Sequence, residues 1–107
     1  MELRIYTEAD GCAPFDDWMQ ALKDRTARAK VRARLARVQA GNLGDSKPLR
    51  DGVQELRIDY GPGYRVFVSQ QGPVLVLLLC GSDKGDQDRA IERAIGYLKD
   101  WKQRGKP

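Results

Sequence analysis

The sequence predicts an α+β fold: a small four-stranded, mainly antiparallel sheet packed against a helical hairpin and a C-terminal helix, in the order β-α-α-β-β-β-α. Two observations carry most of this. Three β-type runs, 53–59, 64–70 and 74–80, are joined only by YGPG and QQGP, short enough for an antiparallel meander. Two helical patterns precede them, one follows, and a single short strand pattern opens the chain.

The opening strand is 2–7, where Leu3 and Ile5 alternate with Arg4 and Tyr6, one face buried. In the first helix, 14–23, Pro14 suits the first helical position, and Asp16 and Asp17 stand where the helix dipole favours acids. Phe15, Trp18, Met19 and Leu22 recur at helical spacing. After a break at 23–26, the second helix runs over 26–41, its apolar stripe made of Ala27, Val31, Leu35 and Val38 and its end marked by Gly41. Residues 42–52 are polar with turn chemistry and are expected to form a loop. The run VLVLLLC at 74–80 is apolar on both faces, which predicts a central strand covered on two sides, and Phe67 makes its own strand partly two-sided. Asp86 is the expected N-cap of a last helix, 87–102, whose apolar face is Ala90, Ile91, Ala94, Ile95, Leu98 and Trp101. The basic tail, 102–107, is expected to fray.

A chain of 107 residues builds one core, so 1–107 reads as one domain. Hydrophobic residues at 41% and charged residues at 32% suit a folded globular protein. The net charge of +4 favours a polyanionic partner, and twelve of the nineteen basic residues are arginine, the better bidentate phosphate ligand. Cys12 and Cys80 lack metal-ligand spacing and read as reduced thiols of a cytoplasmic protein, Cys80 buried. The longest apolar run has seven residues, too short to span a membrane, so no membrane partner is expected. The chain has no histidine, which excludes histidine triads, histidine general bases and histidine zinc sites.

Three constellations could carry chemistry. The second helix holds Arg25, Arg28, Lys30, Arg32, Arg34 and Arg37 with no acid among them. This is either a solvated face or a surface for RNA phosphates or an acidic protein, and like charges such as Arg28 and Arg32 at i,i+4 repel. In the stretch ELRIDYGPGYRVF, Glu55, Arg57 and Asp59 leave one face of a strand while Leu56 and Ile58 take the other. A turn at 61–63 brings Arg57 close to Arg65, either in a salt-bridge ladder with Glu55 and Asp59 or as a phosphate site. Lys84 lies between the central strand and the last helix, whose first residues, Gln87, Asp88 and Arg89, offer backbone N–H groups to an anion; simple capping is the alternative. Tyr60 and Tyr64 flank the turn and could stack a base, move a proton or simply pack.

Taken together, RIYTEADGCAPFDDWMQALKD, RARLARVQAGNLGDSKPL, ELRIDYGPGYRVF and LLLCGSDKGDQDRAIERA resemble the RelE/ParE toxin superfamily of bacterial toxin–antitoxin modules, nearest its HigB-like "addiction module killer protein" group. The resemblance covers nearly the whole chain. It implies a microbial RNase-like fold and a ribosome-dependent endoribonuclease that cuts mRNA without metal or other cofactor. It implies as partners the ribosome, mRNA and a cognate helix-turn-helix antitoxin of HigA type. Relatives of ParE type instead poison DNA gyrase, and a non-catalytic antitoxin-binding module is a third possibility.

Residue by residue, Arg65 matches the strand arginine at the scissile phosphate, Lys84 the basic residue after the last strand, and Arg57 and Glu55 positions on the preceding strand. Nuclease members often carry tyrosine or histidine early in the last helix; here that turn reads Gln87-Asp88-Arg89-Ala90-Ile91, a departure that implies either Glu55 or Asp88 as proton carrier or weak catalysis. The catalytic candidates are therefore Arg57, Arg65, Lys84, Glu55 and Asp88. The RNA-contact candidates are Arg28, Arg32, Arg34, Lys47, Tyr64 and Gln87.

Overall fold

A computed structural model describes residues 1–107. The chain runs β1 (Glu2–Ile5), α1 (Pro14–Ala21), α2 (Arg25–Gln39), β2 (Ser46–Pro48), β3 (Gln54–Ile58), β4 (Tyr64–Gln71), β5 (Leu75–Ser82), a 3₁₀ turn (Lys84–Asp86) and α3 (Gln87–Gln103). The five strands form one sheet in the order β1-β5-β4-β3-β2. The expected sheet had four strands; the fifth, β2, lies inside the segment read as a loop. It is three residues long and ends in Pro48, which an edge strand tolerates because its outer N–H groups need no ladder partner. The meander β3-β4-β5 is antiparallel as expected, and β1 joins β5 in parallel.

Both faces of the sheet are covered. Val66, Val68, Val76 and Leu78 pack with Phe15, Met19, Val31 and Val38 beneath α1 and α2. Phe67, Leu77 and Leu79 pack with Ala90, Ala94, Leu98 and Trp101 beneath α3. The two-sided reading of 74–80 and of Phe67 follows from this arrangement. A register shift between Phe67 and Val68 puts Leu79 and Cys80 both on the α3 side. Such a bulge re-aims the end of a strand, here the Cys80–Ser82 stretch.

Several local expectations need correction. In β1, Ile5 is 38% exposed, and the buried residue is Tyr6, just past the strand, whose hydroxyl donates to Asp100 at 2.6 Å. Asp86 does not cap α3 with its side chain. It takes the expected N-cap position, but its carboxylate pairs with Arg93, while Asp83 caps the preceding 3₁₀ turn by accepting from the Asp86 amide at 3.1 Å. The C-terminal tail, expected to fray, folds back on α3 in the structure. Gly105, at φ +83°, and Lys106 return amide hydrogen bonds to Lys102 and Trp101, and Trp101 Nε1 donates to the Pro107 carbonyl at 3.2 Å. This is the same glycine-terminated closure that ends α2, where Gly41 and Asn42 bond back to Val38 and Arg37.

In α2, Arg34 takes the buried place expected of Leu35, which is only partly covered. Arg34 is 8% exposed and donates from Nη1 to the Asp45 carbonyl at 3.2 Å. Its guanidinium lies under Gly44, where a Cβ would stand 3.1 Å from Nε. The stem packs and the head pins the chain leading into β2.

Candidate functional site

Arg57 faces Arg65 directly across the β3–β4 ladder. Both project toward the α3 side of the sheet, but α3 begins at Gln87 and leaves this corner open. The opening is a cleft of about 500 Å³ bounded by Asp45, Arg57, Asp59, Arg65, Lys84 and the Gly61–Gly63 turn. Gly63 holds the turn at φ +81°, a conformation that favours glycine, and a Cβ there would lie 3.7 Å from both Arg65 Nη1 and Lys84 Cβ, an ordinary contact distance. The Arg65 guanidinium and the Lys84 stem thus flank the same turn, and both residues line the cleft.

Each arginine has its own carboxylate. Arg57 Nη2 donates to Asp45 Oδ1 at 2.8 Å, and its backbone N–H donates to the Asp45 carbonyl at 2.9 Å. Arg65 Nε lies 2.7 Å from Glu55 Oε1, an ion contact whose N–H is not aimed at the oxygen. The same oxygen accepts from Gln87 Nε2 at 2.8 Å. Glu55 is only 1% exposed, so this carboxylate is out of reach of a substrate and instead fixes the arginine. The ladder expected between these residues is real in part: Glu55 takes Arg65, but Asp45, not Asp59, takes Arg57. Asp59 and Lys84 line the cleft without an ion pair.

The other sequence candidates fall elsewhere. Gln87 is committed to Glu55. Asp88 is exposed on the first turn of α3, outside the cleft lining. Tyr64 is 9% exposed and packs edge-on to Trp18 beneath α1, not free to stack a base. Tyr60 donates to Asp24 at 2.9 Å, and that hydrogen bond raises the phenol above its ordinary pKa. Lys30 sits over the Tyr60 ring at 5.4 Å. Arg34 is buried as described, and Arg28 donates to the Leu22 carbonyl at the end of α1. Arg32 and Lys47 are exposed, on α2 and β2.

What sequence reasoning missed is Asp45. It precedes a strand too short to register as one, and only that strand brings it beside Arg57. It also missed a group of ligand-type atoms from Glu8, Asp10 and Cys12, all within 4.8 Å of one another in the β1–α1 loop. Chemically, the cleft can hold an anion against a fixed arginine and a free lysine, with one open carboxylate at its rim. No helix is long and apolar enough to cross a membrane.

No known protein-family model matches this chain. An uncharacterized protein of Haemophilus influenzae is 54% identical over 80 residues, covering 75% of this chain and 81% of that protein.

Proposed function

We propose that this chain, which belongs to the same family as the uncharacterized Haemophilus influenzae protein, is the toxin of a type II toxin–antitoxin module, a ribosome-dependent mRNA endoribonuclease of RelE-like, microbial RNase-like fold; the reading rests on its motif resemblance to the RelE/ParE superfamily and not on that relative. The observation that carries this reading is that Arg57, Arg65 and Lys84 line one cleft beside the Gly61–Gly63 turn. The reaction is attack of a ribose 2′-oxygen on its own 3′ phosphorus. The O2′–P bond forms, the P–O5′ bond breaks, the 2′ proton goes to a base and the 5′-oxygen gains a proton. Arg65, held by Glu55, and Lys84, held by no carboxylate, stabilise the charge that builds on the phosphoryl oxygens. Asp59 is the cleft carboxylate open to the 2′-OH. The exposed α2 cations, Arg25, Lys30, Arg32 and Arg37, supply attraction to ribosomal RNA, and the ribosome orients the message. A cytoplasmic setting and a helix-turn-helix antitoxin of HigA type belong to the same proposal.

The test is expression of the chain alone with mapping of mRNA ends by primer extension. Cuts inside translated frames, lost in Lys84→Ala, support the proposal; Lys84 is exposed, so its removal leaves the fold intact. Uncut messages with full-length soluble protein overturn it.

One observation favours a second reading, gyrase inhibition without cleavage: Tyr60 and Tyr64 are both engaged and α3 opens with no base-stacking residue. Inhibited supercoiling with uncut RNA selects it.

A further inference from the structure

β5 continues through Ser82, whereas its parallel partner β1 pairs only as far as Leu78. The last residues of β5 therefore have no strand on that edge. In the space left, between α1 and α3, lies a second cleft of about 430 Å³ that shares no lining residue with the arginine cleft. Its charge is opposite. Glu8, Asp17, Asp83 and Asp86 line it against a single cation, Arg93, which Asp86 already holds at 2.8 Å. Glu8, Asp17 and Asp83 make no ion pair. Three carboxylates without a cation, of which Asp83 accepts only the Asp86 amide, are unexpected in one cleft on a chain of net charge +4.

Two further features say what they await. Ser82 lines the cleft, is 3% exposed, and its Oγ has no hydrogen-bond partner. A buried hydroxyl without a partner costs free energy that a bound donor would recover. Trp18 and Tyr97 supply aromatic walls. The Tyr97 phenol is raised in pKa, by burial first, then by Cys80 and Glu8 and more weakly by Asp17, with Arg93 opposing. The acids are spread along the cleft: the group close enough to share one ion is Glu8, Asp10 and Cys12, and it includes none of Asp17, Asp83 and Asp86. A flat, extended cation with several N–H donors fits this layout better than a point charge.

We propose that this cleft docks an arginine side chain presented by a protein partner, the guanidinium lying among Glu8, Asp17 and Asp83 against the aromatic walls. Guanidinium suits aromatic faces and several separate acceptors at once, where an ammonium satisfies one. The site is distinct from the arginine cleft and does not depend on RNA chemistry there.

The experiment titrates the full, isotope-labelled chain with N-acetyl-arginine amide, with N-acetyl-lysine amide and MgCl₂ as separate probes at matched ionic strength, following amide and indole N–H resonances. The expected result is a saturable shift of the Trp18 indole and Ser82 amide signals by the arginine probe, with affinity at least about threefold above the lysine probe. The double variant Glu8→Gln/Asp17→Asn should weaken it at least about fivefold, with an unchanged melting curve. Three results overturn the proposal: no saturable shift, an unchanged response of the double variant, or the same signals saturating with magnesium at lower concentration than with arginine.

Discussion

Arg57 and Arg65 stand opposite one another in the β3–β4 ladder, yet they are neutralised by carboxylates of different origin, Asp45 from the chain before β2 and Glu55 from β3 itself. The two pairs differ in burial. Arg57 and Asp45 are 40% and 52% exposed at the side chain, so their pair is screened and adds little to stability. Arg65 and Glu55 are 14% and 2% exposed, so each depends on the other.

The first prediction follows from that dependence. Arg65→Ala leaves Glu55 buried with only Gln87 for a partner, and should cost about 3 kcal/mol or more, the range for breaking a buried pair. Glu55→Gln should cost less, because Arg65 keeps a polar neighbour and reaches the cleft. Urea unfolding of both single variants and the double variant measures the coupling. Equal, small losses would show that the pair does not hold the arginine. Loss of cleavage in Arg65→Ala alone is therefore ambiguous, and Lys84→Ala is the cleaner probe.

Arg34 and Arg32 separate structural from surface arginines on one helix. Arg34→Ala should lower stability by about 2 kcal/mol through lost packing and loss of the Asp45 anchor. Arg32→Ala should stay within about 0.5 kcal/mol of the parent, because Arg32 is exposed. Thermal or urea melts check both. An equal effect would place the two side chains alike.

That contrast also shows where sequence patterning stops. The meander, the two-sided core and the Arg57–Arg65 pairing are legible because alternation and the Gly61–Gly63 turn set register locally. Arg34 is not, because charge alone assigns an arginine to solvent, and only the packing of the Gly44 segment on its guanidinium says otherwise. Asp45 is not, because a three-residue strand ending in proline carries no alternation. Glu55 alternates correctly with Leu56, but α3 covers the polar face as well, and that burial depends on a helix more than thirty residues away, through Gln87. The closing turn at Gly105 is not legible either, because a short basic end carries no periodicity and only the positive φ in the fold shows the helix being closed.

Gly81 tests the packing of α1 on β5. A Cβ at this position would overlap the Trp18 indole. Gly81→Ala should therefore displace the ring and destabilise the fold by roughly 1–3 kcal/mol, the cost of overpacking. The intrinsic fluorescence of Trp18 should change with it, and an unchanged spectrum with unchanged stability would mean that the ring moves freely.

The thiols should differ in reactivity. Cys80 is buried, and burial pushes its pKa to about 12, so the folded chain should present no reactive thiolate there at neutral pH. Cys12 is exposed, but its hydrogen bond to Asp10, and that carboxylate's charge, raise its pKa too. Native protein should therefore react with a disulfide reagent at Cys12 alone, more slowly than a free thiol, and Asp10→Asn should speed it. Two rapidly reacting thiols in the folded state would contradict this burial.

Tyr6 gives a signed dependence on pH. Burial first, and then the hydrogen bond to Asp100, raise its phenol from 10.0 to about 12. The folded state then holds a proton that the unfolded state has lost between these values, so stability falls as pH rises from about 10 to 12 and is fully present below that window. Asp100 runs the other way: the Tyr6 hydrogen bond holds its carboxyl below the ordinary value, so its contribution is present above that value and lost in acid. Tyr6→Phe should flatten the alkaline arm of the melting-temperature profile and weaken the acid arm. A profile with the alkaline fall intact in Tyr6→Phe would assign that fall to Tyr60 or Tyr97, whose phenols are also raised.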